Sequence, residues 1–237
     1  MKSTNTAPGG LKLLTLHIVG ASPLLMNPLT EQQLVDLHHK QKGQDTSKLK
    51  PVQVAASRLY QNNENRIGIP GTNLMAAIIG GGEGVPNPKI KGGKSMITTS
   101  SKSVVPSFLF LHADSEFLVF SNIGEPFDPQ KDIDMDAVIG KPSEKNPFII
   151  DIRRGVNPST GGATPIIRPK IPKWEFSVKF EWDPSECDEE LLRTIINNAG
   201  NRCGLGDFRP KCKGMFGRFR VADWKVESIK ENLQDAA

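Results

Sequence analysis

The stretch Asn197–Trp224, NNAGNRCGLGDFRPKCKGMFGRFRVADW, decides the fold of this chain. Before Asp223 it contains one acidic residue, Asp207, among many glycines and cations. Glycine lets backbone N–H groups approach a ligand closely, Lys and Arg attract phosphate, and Phe offers a face for stacking a base. We therefore predict a phosphate-binding loop, with a glycine-rich turn and a solvated basic edge as the alternative. The residues concerned are Gly200, Gly204, Gly206, Gly214, Gly217, Arg202, Arg209, Lys211, Lys213, Arg218, Arg220, Phe208, Phe216 and Phe219.

The segments on either side of this loop predict two strands and a helix. From Trp174 to Trp182 apolar and polar side chains alternate, which is typical of a half-buried strand. Asp183 then stands as a candidate helix N-cap, and Gly200 marks the expected end of that helix. In residues 215–222 successive side chains again point to opposite faces, which predicts a second strand. Strand, helix, glycine-rich loop and strand make half of a ferredoxin-like domain.

The first half of the chain predicts the same order of elements. Leu11–Val19 is apolar on both faces, as expected of a central strand. Helices are predicted at Thr30–Lys40 and Pro51–Tyr60, followed by a short strand at Arg66–Ile69 and another helix. The two halves together indicate an α+β fold with a ferredoxin-like or RRM-like core.

Two motifs carry a family resemblance. The run GLGDFR at residues 204–209 is followed by GMFGRF at 214–219, and IPGTNL lies at 69–74. In this pairing and order they resemble the RAMP superfamily, the RNA-binding backbone subunits of CRISPR effector complexes. The chain is also similar to a family of uncharacterised tailed-phage proteins. The resemblance implies a RAMP-type core and a subunit that oligomerises along RNA, such as a guide RNA, or along single-stranded DNA.

The middle of the chain is predicted to be an insertion. We expect the ferredoxin-like core at residues 1–79 and 173–226, a thumb- or finger-like region at 80–172, and a polar tail at 227–237. Within the insertion, Phe108–His112 and Phe117–Phe120 flank the turn sequence 113–116 and predict a β-hairpin. The windows 85–106 and 152–172 are basic and rich in Gly or Pro, so we expect a long hairpin-like excursion that reaches over a nucleic acid or a neighbouring subunit.

Charge is distributed unevenly along the chain. The net charge is only +4, yet half of the 30 Lys and Arg residues lie in three windows with few acids, 85–106, 152–174 and the C-terminal loop. One basic and one acidic face are typical of a nucleic-acid-binding protein or of copies that stack head to tail. Three independently solvated loops are the alternative. The predicted nucleic-acid-binding residues are Lys89, Lys91, Lys94, Arg153, Arg154, Arg168, Lys170, Arg202, Gly204, Gly206, Phe208, Arg209, Lys211 and Lys213.

Composition excludes several classes of protein. No apolar run reaches transmembrane length and residues 1–10 lack a signal-peptide segment, so we expect a cytoplasmic protein without a membrane partner. The cysteines Cys187, Cys203 and Cys212 are odd in number and lack metal-ligand spacing, which argues against a disulfide framework or a zinc site. We expect no cofactor and no metal.

The sequence leaves three functions open. The favoured one is a protein that binds and polymerises along single-stranded RNA or DNA, gripping phosphates with the basic loop. The second is a RAMP-type ribonuclease; Asp36 and Asp45 lie where the resemblance implies a cleaving aspartate, but neither matches a motif, so we predict no enzyme. The third is a phage structural or scaffold protein that uses the same faces only for self-association.

Overall fold

The computed structural model describes residues 10–29, 31–39, 48–90, 95–156 and 161–229 of the 237-residue chain. Lys91, Lys94, Asp45, the loop residues 157–160 and the tail from residue 230 lie outside the described residues. In the described ranges the strands are β1 (Lys12–Gly20), β2 (Leu24–Leu25), β3 (Gly68–Pro70), β4 (Leu109–Leu111), β5 (Phe117–Val119), β6 (Ile149–Val156), β7 (Ala163–Ile171), β8 (Glu175–Trp182) and β9 (Phe219–Ser228). The helices are α1 (Glu31–His38), α2 (Pro51–Ala56), α3 (Gly71–Gly81) and α4 (Glu189–Asn198).

Four strands form one antiparallel sheet, in the order β4-β8-β1-β9. Counted along the chain, these are the second, third, first and fourth strands of the sheet. Helix α3 lies between the first and second of them, and α4 between the third and fourth. This order of strands and helices is that of the ferredoxin-like split β-α-β fold. The predicted α+β, ferredoxin-like core is therefore confirmed.

Alternation of side chains orients the sheet. In β8, Phe176 and Phe180 are fully buried while Ser177 is exposed. These two aromatic residues lie opposite Ile18 and Leu14 of β1, which are also fully buried. Because successive strand residues point to opposite faces, one face of the sheet is apolar, and its side chains share one core with buried residues of α3 and α4. The other face carries mostly polar side chains.

Helix α4 begins and ends later than the sequence predicts. Its N-cap is Asp188, whose carboxylate accepts the backbone N–H three residues on at 2.8 Å, and not Asp183. The Asp183 carboxylate accepts the N–H of Ser185 at 2.9 Å instead, because a separate turn precedes the helix. At the other end a π-helical turn continues the helix past Gly200 to residue 203. Gly204, with φ +68°, ends it.

The predicted hairpin around residue 114 is not formed. β4 pairs with β8, β5 pairs with β3, and a 3₁₀ turn separates β4 from β5. The buried Leu109 of β4 thus completes the core sheet, so this strand belongs to the core and not to the expected insertion at 80–172. The remaining boundaries stay a prediction.

A second sheet, in the order β2-β7-β6, contains the basic hairpin. β6 and β7 pair antiparallel over their length, with Ile152 opposite Ile167. β2 pairs with the end of β7, which brings this hairpin beside the loop that follows α4. Among the described helices, none combines the length and the apolar character needed to cross a membrane.

Candidate nucleic-acid interface

The glycine-rich loop runs from the end of α4 to the start of β9 and is held by backbone hydrogen bonds. Leu205 donates its N–H to the Gly217 carbonyl at 2.8 Å, so the two arms of the loop are tied together. Asp207 N–H bonds the Leu25 carbonyl, also at 2.8 Å, which fixes the loop to β2. The backbone at Gly206 and Gly217 has φ +70° and +69°, values that favour glycine.

A cavity of about 390 Å³ lies between this loop and α3, and we call it the loop cavity. Its walls combine loop backbone, two cationic side chains, two Asn side chains and a Tyr. A site of this size with a few convergent polar groups is typical of a ligand pocket. The lining residues are Asn27, Tyr60, Asn73, Ala76, Ala77, Cys203, Gly204, Leu205, Gly206, Asp207, Arg209 and Lys211.

Lys211 lies over the last turn of α3. Its Nζ is 2.5 Å from a Glu83 carboxylate oxygen, and a Cβ added at Gly80 would lie 3.0 Å from that Nζ. A cation in this place is favoured by the carbonyl end of the helix dipole. Lys211 therefore lines the cavity as a paired cation.

Arg209 shapes the loop from within. Its Nη1 donates to the Gly206 carbonyl at 2.8 Å, and the side chain is half-buried. A 3₁₀ turn, Pro210–Cys212, follows and ends at Lys213, which has a left-handed backbone and an exposed side chain. Arg209 thus keeps one face of its guanidinium at the cavity while Lys213 lies on the rim of the loop.

Arg168 is a buried clamp and not the phosphate ligand that the sequence indicates. It is 4% exposed, and its guanidinium lies 2.8 Å from an Asp207 carboxylate oxygen and 3.6 Å from one of Asp151. Burial, and next the charge of Arg168, lower the pKa of the nearby Arg58, which donates to the Ile167 carbonyl at 2.6 Å. The clamp joins hairpin β6–β7 to the glycine-rich loop.

A ring contact joins the same two elements. The Arg153 guanidinium lies 5.5 Å from the Phe208 ring centroid and 4.8 Å from that of Phe216, and it also pairs with Asp151 at 3.0 Å. Phe208 has φ +49°, a backbone conformation that side chains rarely adopt. The Phe208 ring thus already has a cation over it, and its use for stacking a base stays a prediction.

The remaining predicted site residues are spread over the surface. Lys89 pairs with Glu186 at 2.6 Å, just before α4. In the part of the chain that the structure describes, five predicted cations form no ion pair: Arg154, Lys170, Arg202, Arg209 and Lys213. Lys91 and Lys94 lie outside the described residues. The predicted loop residues Gly204, Gly206, Arg209 and Lys211 line the cavity, whereas Arg202, Phe208 and Lys213 do not. The sequence indicates no role for Asn27 and Tyr60, because neither lies near the loop in the chain.

Of the two aspartates considered for RNA cleavage, Asp36 is buried, with 7% of its surface exposed, and it interacts with other groups of the protein. Asp45 lies outside the described residues. Over the described ranges no cluster of three or more His, Cys, Asp or Glu is arranged to hold a metal ion.

We expect the three thiols to differ sharply in reactivity, with Cys212 reacting first. Burial raises the pKa of Cys187 to about 12 and also raises that of Cys203, whereas Cys212 is exposed. At about pH 8 only roughly 0.01% of a thiol with a pKa of 12 is thiolate, the reactive form. A colorimetric disulfide reagent added to folded protein should give one fast equivalent that Cys212→Ser removes. Three equal rates would contradict this burial.

Comparisons with known proteins give weak structural similarity. No family model and no curated protein matches the chain. It is similar to a chain of the cryo-EM structure of the type III-B Cmr-beta bound to cognate target RNA, with 12% identity and a TM-score of 0.47. That alignment covers 92% of this chain but 61% of the other. It is also similar to Cmr6 from Pyrococcus furiosus, with 12% identity, a TM-score of 0.40, and coverage of 89% and 98%.

Proposed function

We propose that this chain binds single-stranded nucleic acid as a RAMP-like subunit, with the strand passing through the loop cavity. The observation that supports this most is the makeup of the cavity itself. The backbone at Gly204 and Gly206 and the side chains of Arg209 and Lys211 line the same space of about 390 Å³. Backbone N–H groups in such a loop can bind a phosphate, and the two cations favour its charge.

Unpaired cations outside the cavity extend the proposed path. Arg202 and Lys213 are exposed on the glycine-rich loop. Within the described ranges they have no acidic partner, so binding a phosphate breaks no ion pair. The Arg168 clamp holds hairpin and loop together, which makes them one surface for the strand. We infer that this surface takes several successive phosphates.

The open face of the ferredoxin-like sheet is a less suitable platform. Along β1 and β8, both fully described, the outward residues, such as Thr15 and Ser177, include no Phe, Tyr or Trp, and the adjoining β4 adds one aromatic side chain, Phe110. RRM domains stack bases on aromatic side chains of such strands. His17 is instead held between Ser177 and Glu175, at 3.4 and 3.5 Å. The loop cavity is therefore the better candidate for the nucleic-acid site.

We further propose that copies of the chain line up along the strand, as the motif resemblance implies for CRISPR effector complexes. The segment 121–147 supports a protein contact, since it carries many acids and a second cavity of about 620 Å³ lined by Glu125, Asp132 and Glu144. Acids of this density repel phosphate but attract the basic loops of another copy. Mass measurement with oligonucleotides of increasing length should then give complexes that grow by one protomer per fixed number of nucleotides.

The direct test is whether the purified protein carries nucleic acid. The ratio of ultraviolet absorbance at two wavelengths reports bound nucleic acid, and digestion of the extracted material with RNase or DNase identifies it. Protected fragments of defined length support the proposal and give the footprint of one protomer. Protein that is free of nucleic acid and then binds neither single-stranded RNA nor DNA at low salt would overturn it and favour a role in self-assembly alone.

Replacing Arg209, Lys211 and Lys213 together by Ala should weaken binding about ten- to thirty-fold at low salt, for every oligonucleotide sequence alike. These cations contact the backbone in the proposed mode, and phosphate contacts carry no sequence information. Each lost contact on a single strand should also reduce the slope of log K against log salt by about 0.7. Fluorescence anisotropy across a salt series measures both quantities.

A matched control removes cations elsewhere. Lys131, Lys141 and Lys145 lie on the acid-rich segment and are exposed, so their combined replacement by Ala changes the net charge equally. Lys131 and Lys145 also line the cavity assigned to the contact between copies, so the comparison uses an oligonucleotide long enough for one protomer only. On that oligonucleotide, binding by the control variant should be nearly unchanged. Equal losses in the two triple variants would mean that net charge alone governs binding, and the loop would then have no special role.

A further inference from the structure

Asp207 is the one acidic side chain among the residues that line the loop cavity. A carboxylate repels phosphate, so Asp207 would weaken a site that bound only the sugar-phosphate backbone of a nucleic acid. Its side chain is 36% exposed although it pairs with the buried Arg168. The carboxylate therefore serves the clamp on one side and faces the cavity on the other.

The Asp207 carboxylate can accept one hydrogen bond more than it receives from the described residues. Oδ2 accepts from Arg168 Nη1 at 2.8 Å and from Asn27 Nδ2 at 3.2 Å, and Oδ1 accepts from the Phe208 N–H at 2.7 Å. An ionised carboxylate offers about four acceptor positions. Among the described residues three are used, which leaves one on Oδ1. These three bonds also fix the orientation of the group.

We propose that Asp207 accepts a hydrogen bond from a ribose 2′-hydroxyl and so makes the cavity selective for RNA over DNA. This inference rests on the proposed function. Phosphates held by Arg209 and the glycine backbone bring the adjoining sugars beside the cavity wall that Asp207 forms. The 2′-hydroxyl is the donor that a DNA sugar lacks. Asn73, on the α3 side of the same cavity, offers an amide to the hydroxyl oxygen.

The test compares strands that differ only at the 2′ position. Oligouridine and oligodeoxyuridine of equal length share the base, so any bond from Asp207 to a base affects both alike. A hydrogen bond to a charged acceptor should favour the RNA at least about ten-fold. The 2′-fluoro and 2′-O-methyl strands have no 2′ donor and should bind like the deoxy strand. Anisotropy titrations on the unmodified protein measure all four.

Asp207→Asn tests whether Asp207 is the acceptor. The amide carbonyl is a weaker, uncharged acceptor, so the preference for RNA should fall to about two- or three-fold, while affinity for the deoxy strand stays equal or rises. Thermal unfolding checks the fold, since this change removes a partner of Arg168. If the variant fails to fold, Arg168→Gln combined with Asp207→Asn removes both charges and keeps amides that can bond each other.

The possible outcomes separate this inference from the proposed function. Strong, equal binding of the uridine and deoxyuridine strands overturns the inference and leaves the proposed function standing. A preference for RNA that Asp207→Asn does not reduce assigns the selectivity to another residue and also overturns it. Failure to bind either strand contradicts the proposed function itself.

Discussion

Gly217→Ala should lower the free energy of unfolding by about 2–4 kcal/mol and open the glycine-rich loop. Gly217 has φ +69°, and an added Cβ would overlap the Leu205 carbonyl oxygen. This oxygen belongs to the backbone, so it cannot move aside as a flexible side chain could. The Leu205 N–H and Gly217 carbonyl form the bond that ties the two arms of the loop. Urea denaturation followed by tryptophan fluorescence measures the loss.

Two other glycines serve as controls for Gly217→Ala. Gly84 has φ +74° but open space around the position of a Cβ, so Gly84→Ala should cost only the backbone strain, about 1 kcal/mol. Gly124 has open space and no positive φ, and its replacement by Ala should change stability by about 0.5 kcal/mol or less. If Gly217→Ala is no more harmful than Gly84→Ala, the close contact between the loop arms is not made.

Arg168→Met should destabilise the protein by about 3 kcal/mol, because it leaves the carboxylates of Asp151 and Asp207 without their buried partner. Arg168 is 4% exposed and joins the hairpin to the loop. The variant should also lose nucleic-acid affinity, since the two elements no longer form one fixed surface. Chemical denaturation gives the first effect and anisotropy the second.

The matched control for the clamp lies on the paired strand of the same hairpin. Arg154 is exposed and forms no ion pair with any residue that the structure describes, so Arg154→Met should leave stability nearly unchanged. A double-mutant cycle with Asp207→Asn isolates the coupling of Arg168 to Asp207. A coupling near zero would show that pairing with Asp207 does not account for the effect of Arg168→Met. Equal stability of Arg154→Met and Arg168→Met would show that the clamp does not stabilise the protein.

The strands of the core could be predicted because their signal is local. In β8 the alternation of Phe176, Ser177 and Val178 follows from the pleat, which sends neighbours to opposite faces. The same reasoning failed between Leu111 and Phe117. Two short apolar runs with a turn between them are compatible with a hairpin, but β4 pairs with β8 and β5 pairs with β3, and both partners lie far away in the chain.

The environment of each cation could not be predicted from the sequence either. The sequence marks Arg154 and Arg168 as equivalent members of one basic hairpin, yet one is exposed and the other is enclosed between two carboxylates. Helix α4 differs in the same way, since the sequence favours Asp183 as the N-cap and the fold uses Asp188.

The sequence by itself determined the ferredoxin-like core and the glycine-rich loop, because side-chain periodicity and the need for glycine at positive φ act over a few residues. Only the tertiary structure decided which charges are free to meet a ligand. Asp207 meets Arg168 across 39 positions of the chain, and Lys211 meets Glu83 across 128. Ion pairing depends on distance in space, and burial strengthens it, so no local pattern in the chain specifies these partners.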